Sequence, residues 1–159
     1  MSLKQHDQFS GQPDPDNPGW LTWNLADDTR FNGQAMGHLL ARAEGDRVAR
    51  LRLQASHQHS NLHDRVHGGA TLALIDIAMF SATRILLGPR VTGSVTLDLT
   101  TQFIGSGALN EPLDAVSEIL KETGRLVFVR GVVEQGGEMI AAYSGTLRKP
   151  SQPAPSGSR

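Results

Sequence analysis

Apolar and polar residues alternate through residues 48–57, with Ala49, Leu51, Leu53 and Ala55 on one side and Arg50, Arg52, Gln54 and Ser56 on the other. A period of two predicts a half-buried strand. Residues 37–43 read as a shorter strand before it, joined through the turn residues Glu44, Gly45 and Asp46. Beyond Gly88 and Pro89, residues 92–104 set Val95, Leu97, Leu99 and Phe103 opposite Ser94, Thr96, Asp98 and Gln102. A strand at 112–121 follows, and strands at 126–134 and 139–148 are joined by Gln135, Gly136 and Gly137, a hairpin signal. Between the polar loop 58–66 and Gly88, residues 70–87 are apolar on nearly every side. A helix apolar all round must be enclosed, and an antiparallel sheet curling about it is the simplest enclosure. The pattern predicts an α+β fold in which one long central helix is wrapped by a curved antiparallel sheet of about six strands.

The ends of the chain differ from this middle. Residues 1–36 form an N-terminal extension expected to be partly irregular, and Pro13, Pro15 and Pro18 lie in its first half, where no regular structure is expected. Residues 37–149 make one domain, and 150–159 are a Pro/Ser/Gly tail expected to be disordered. At 159 residues the chain can bury a core. Its net charge of -1 gives no electrostatic case for nucleic acid or an anionic membrane. Zero Cys excludes disulfides, thiolate catalysis and Cys-ligated zinc, and fits a reducing, cytoplasmic setting. The first residues lack an apolar core, so secretion by a signal peptide is not expected. The apolar run is long enough to raise the question of a membrane span, but Asp76, Ser81, Thr83 and Arg84 inside it favour a buried core helix.

Two residue choices in that helix carry the chemistry. Gly68 and Gly69 follow His67 at its start, where the first amides have no intrahelical acceptor. With no side chains in the way, a carbonyl oxygen gaining negative charge can reach those amides, and the helix dipole favours it there. Two glycines can equally serve only a tight loop-to-helix turn. Asp76 sits among Leu74, Ile75, Ile77 and Ala78. Burial there would raise its pKa and make it a stronger base or nucleophile, although a structural hydrogen bond to a strand is the plainer alternative. Eight residues separate Gly68 from Asp76, about 12 Å of helix rise. Both cannot reach one carbonyl at the roughly 3 Å that catalysis needs. If both act in one site, they come from two copies of the chain, and a homodimer with two shared sites is expected.

At these residues the sequence resembles the hotdog-fold acyl-CoA thioesterases of the phenylacetate-degradation (PaaI-like) type, over about residues 37–148. The likeness rests on Asn61, His67-Gly68-Gly69, Asp76, the strand from Thr96 to Phe103 and the closing Tyr143-Ser144-Gly145-Thr146-Leu147. The resemblance implies hydrolysis of an acyl-CoA thioester by a homodimer, often paired into a homotetramer. It implies that Asp76 is the catalytic carboxylate, acting on water or attacking directly to give a mixed anhydride. Gly68 would supply the amide that polarises the carbonyl, with His67 and Asn61 beside it and Gly69 next to the substrate. Thr96 stands where some relatives hold the attacking water by a hydroxyl, and Ser94 is the second choice for that place. Asp64, followed by Arg65, departs from the glycine that relatives often have shortly before His67.

Other constellations weigh less. His57, His59, His63 and His67 fall mostly on an unpatterned loop, so no metal or other cofactor is expected. Arg65, Arg90, Arg125 and Arg130 could meet CoA phosphates, although surface arginines are common. Trp20 and Trp23 precede the core and are expected to pack over an edge or the acyl pocket. Two other activities suit the same fold: a hydroxyacyl-thioester dehydratase, which needs a catalytic His facing the acid, and a non-catalytic acyl-CoA sensor.

Overall fold

A computed structural model describes residues 9–151. Nine strands and one long helix are present: β1 (Phe9–Ser10), β2 (Leu21–Thr22), β3 (Asn24–Leu25), β4 (Leu39–Ala43), β5 (Val48–Gln54), α1 (Gly68–Leu87), β6 (Val95–Phe103), β7 (Pro112–Glu122), β8 (Leu126–Gln135) and β9 (Glu138–Arg148). Seven strands form one antiparallel sheet in the order β2-β4-β5-β7-β8-β9-β6, and β1 pairs with β3 in a separate ribbon. The six strands expected from the sequence are all there, and β2 adds a seventh by pairing with β4.

The sheet curls round α1. Ala49, Leu51, Leu53 and Ala55 are all buried, as their alternation requires. Leu74, Ile75, Ala78 and Met79 of the helix are buried against them and against Leu113, Val129 and Leu147. By length and apolarity alone α1 is long enough to cross a membrane; here half of its apolar run is buried, much of it against the sheet. Two buried hydroxyls inside it are satisfied within the helix, since Ser81 Oγ donates to the Ala78 carbonyl and Thr83 Oγ1 to that of Met79. Gly145 lets the helix come close: a Cβ there would lie 2.7 Å from Met79 Sδ. The β8–β9 hairpin turns on Gly136 and Gly137, at φ 58° and 90°, the left-handed pair that a two-residue turn demands.

One expectation about the strands is corrected. The even alternation through residues 92–104 breaks at a bulge. Thr96 pairs with Leu147 and Asp98 with Thr146, which leaves Leu97 unpaired. Leu147 is buried, so Thr96 shares the helix-facing side with Leu99 and Phe103, whereas Val95 pairs with Arg148 on the outer face. The N-terminal extension contributes three two-residue strands, β1 to β3. On the outer face of the sheet the guanidinium groups of Arg42 and Arg52 each lie 4.4 Å from the centroid of the Trp20 ring. Trp23 goes inward, its ring 6.3 Å from that of Phe80. Most of the tail expected to be disordered, residues 152–159, lies outside the described residues.

On the same outer face Asp114 accepts from Arg50 at 3.0 Å and from Arg52 at 2.7 Å. Asp114 is 6% exposed, so removing it takes from the partly covered Arg52 its carboxylate partner. Arg50 keeps Glu44 and Glu134. Asp114→Ala is therefore expected to cost about 2 kcal/mol in urea unfolding, below the figure for a fully buried pair.

Candidate active site

The loop ahead of α1 is built around Asn61. Its Oδ1 accepts from the His63 amide at 2.8 Å and from the Arg65 amide at 3.2 Å. Asp64 then takes a φ of 54°, a conformation that suits glycine and that Asp tolerates better than most side chains. With Oδ1 engaged in the turn, the Asn61 amide NH2 is the part left to meet a substrate.

His67 is the N-cap of α1. Its backbone is extended, and its Nδ1 accepts from the Gly69 amide at 2.8 Å. An accepting Nδ1 places the proton of the neutral ring on Nε2. The Gly69 amide is thereby committed to the protein. The Gly68 amide takes no acceptor among the described residues and remains the free donor at the positive end of the helix. Phe103 of β6 covers this point from the side: a Cβ on Gly68 would lie 3.4 Å from its Cζ. Neither the capping role of His67 nor the ring of Phe103 over Gly68 was evident in the sequence. The first needs the His67 backbone geometry and the second a pairing of elements far apart in the chain.

Asp76 lies two turns further along α1. Its own chain does not bury it, contrary to expectation; Asp76 is exposed on a stripe of the helix that also carries Gly69 and Leu72. The flanking Leu74, Ile75, Ile77 and Ala78 face the sheet, while position 76 falls on the uncovered side. Thr96 Oγ1 donates to Asp76 Oδ1 at 2.7 Å, which only the bulge at Leu97 makes possible. Ser94 is not on this strand face. It precedes β6, and its Oγ donates to the Val91 carbonyl at 2.6 Å, closing a turn.

The predicted residues thus fall into two groups. Asn61, His67, Gly68 and Gly69 gather at the helix start; Asp76 and Thr96 pair nearly halfway along α1. Ser94 joins neither group. Among the described residues no set of three or more His or acidic side chains converges as a metal site. His59 is buried at 3% exposure, and its pKa is held below the ordinary histidine value by desolvation. Of the candidate phosphate ligands, Arg90 is paired with Glu122 and Arg130 with Glu118.

Comparison with known proteins bears on the family and the fold. The family model described as "Thioesterase superfamily" matches residues 63–142, half of the chain, including α1 and β6. A search of curated proteins gives no match. Among solved structures, thioesterase superfamily member 2 of zebrafish is 20% identical with a TM-score of 0.68, over 79% of this chain and 90% of that one. The Escherichia coli PaaI protein from the phenylacetic acid degradation operon is 17% identical with a TM-score of 0.67, over 78% and 87%. A hypothetical thioesterase with coenzyme A from Streptococcus pneumoniae is 16% identical with a TM-score of 0.61, over 72% and 91%. A helix led by His67-Gly68-Gly69 and gripped by a curved antiparallel sheet, together with the family match over residues 63–142, bears out the expected hotdog fold: this chain belongs to the thioesterase superfamily.

Proposed function

We propose that the protein hydrolyses acyl-CoA thioesters as a homodimer, each site combining the Gly68 amide of one protomer with Asp76 and Thr96 of the other. The observation that carries this reading is the Thr96–Asp76 hydrogen bond on an uncovered helix face, set two turns from an unengaged helix-start amide. The thioester carbonyl oxygen accepts from the Gly68 amide. Thr96 engages Oδ1 of Asp76, so Oδ2 is the oxygen that takes a proton from water. The water oxygen bonds to the carbonyl carbon, the C–S bond breaks, and the departing thiolate takes up a proton. Products are the free acid and CoA.

The second protomer has a natural place. β6 is an edge of the sheet, nine residues long, and it exposes Val95 at 46%, Leu97 at 53% and Phe103 at 53%. A long apolar edge strand invites pairing with another chain. Pairing β6 with β6 about a two-fold axis brings the open stripes of two helices together, with Leu72 exposed at 38% between Gly68 and Asp76. CoA as the carrier is supported by the pneumococcal thioesterase crystallised with it. A dehydratase has less support, because Nδ1 of His67 is engaged in capping the helix.

Complementation tests the shared site. Asp76→Ala and Gly68→Pro chains, each inactive alone, are co-expressed and purified together. Half of randomly formed dimers pair the two lesions, and each of those keeps one intact site, so CoA release should return to about a quarter of the wild-type value. No recovery from mixed dimers places both groups in one protomer or discards one of them. Acyl-CoA binding without CoA release by the wild type points instead to a sensor.

A further inference from the structure

The N-terminal extension returns from the outer face to the helix start, where residues Asn32–Met36 form a single π-helical turn. Such turns are rare and are often found at functional sites. Between this turn and the first two turns of α1 lies an open cavity of about 400 Å³, lined on its apolar side by Phe31, Ala35, Met36, Ala70 and Ala73. The cavity also reaches His67 and Gly69, so it opens beside the amide that receives the carbonyl. Phe31, Ala35 and Met36 lie outside the span matched by the family model.

Two features make this a formed pocket. Its back is rigid: Met36 is 2% exposed, and the buried His59 ring faces the carbonyls of Ala35 and Met36 while its Nδ1 accepts from the Ser56 amide at 2.9 Å. Its helix wall is made of small residues, Gly69, Ala70 and Ala73, which leave room beside the backbone. Phe31, by contrast, is a large apolar side chain left 62% exposed at the rim.

We infer that this cavity receives the acyl group of the thioester, and that Phe31 on the N-terminal extension sets the size accepted, favouring short or ring-sized acyl groups over long chains. This rests on the thioesterase reading above. With the carbonyl at the Gly68 amide, the acyl carbons run past Ala70 and Ala73 under the Phe31 ring, and Met36 closes the far end. Gln58 and Ser60 line the opposite wall, so a polar substituent on the acyl group has donors and acceptors within the pocket.

The test is a profile of kcat/KM for acetyl-, hexanoyl-, phenylacetyl- and palmitoyl-CoA, measured on wild type, Phe31→Ala, Phe31→Trp and Ala73→Leu. Wild type should prefer hexanoyl- or phenylacetyl-CoA to palmitoyl-CoA. Phe31→Ala should raise the palmitoyl-to-hexanoyl ratio about tenfold, and Phe31→Trp and Ala73→Leu should each lower the phenylacetyl-to-acetyl ratio by about as much, on the scale that a methylene or two imposes in a pocket. Phe31 is largely exposed, so its variants carry the test even if Ala73→Leu folds poorly, which thermal unfolding detects. Hydrolysis by all four proteins with unchanged ratios overturns the pocket. No hydrolysis of any thioester by the wild type overturns the thioesterase reading instead.

Discussion

Asp76→Ala is expected to lower kcat for acyl-CoA hydrolysis by roughly 10³-fold or more, the range lost when a positioned general base is removed. KM should change little, because the carboxylate acts on water rather than on the CoA carrier. The fold should survive. Asp76 is exposed, and its side-chain hydrogen bond among the described residues is the one from Thr96, so the stability change should stay within about 0.5 kcal/mol. Asp76→Asn should be as inactive as the alanine variant, since an amide cannot take the proton. Single-turnover measurement of CoA release with a thiol reagent, beside urea unfolding of the same samples, separates lost chemistry from lost structure. Near-normal turnover by Asp76→Asn sinks the assignment.

The second large effect comes from a backbone atom. Gly68→Pro deletes the amide hydrogen while keeping the helix, since proline is favoured at the first helical position. The preceding residue already has the geometry a proline requires: His67 sits at φ -66° and ψ 139°. The expected result is a fall in kcat of about 10²- to 10³-fold, as for loss of one oxyanion donor. Gly68→Ala is the matched control. It retains the amide, and its Cβ would rest 3.4 Å from Phe103 Cζ, an ordinary contact. Helical content by circular dichroism should be alike in both. Equal kcat for the proline and alanine variants would show that the amide does not stabilise the reacting oxygen.

What could be read in the sequence was what local pattern determines. Residues 70–87 are apolar on nearly all sides, and a sheet does wrap them; β5, which ends at Gln54 rather than His57, buries the alternation expected of it. His67-Gly68-Gly69 marked the helix start because glycine is tolerated there and nowhere further in. The bulge at Leu97 was hidden, since Val95, Leu97 and Leu99 alternate as a normal strand would. Only their register against β9 reveals that Thr96 turns inward. The exposure of Asp76 was hidden for a different reason. A helix that is apolar all round looks the same in sequence whether its own sheet or a second chain completes the cover. The course of residues 11–36 depends on contacts such as Trp20 with Arg42 and Arg52, which leave no periodic trace.

The path of that leading segment divides the molecule's labour. Hydrolysis is assigned to the helix and sheet, while the choice of thioester is assigned to a strap laid over them from one end of the chain. On the proposed reading, variation in the strap retunes thioester preference without disturbing the hydrolytic groups, and a graft of this piece between relatives carries the preference with it.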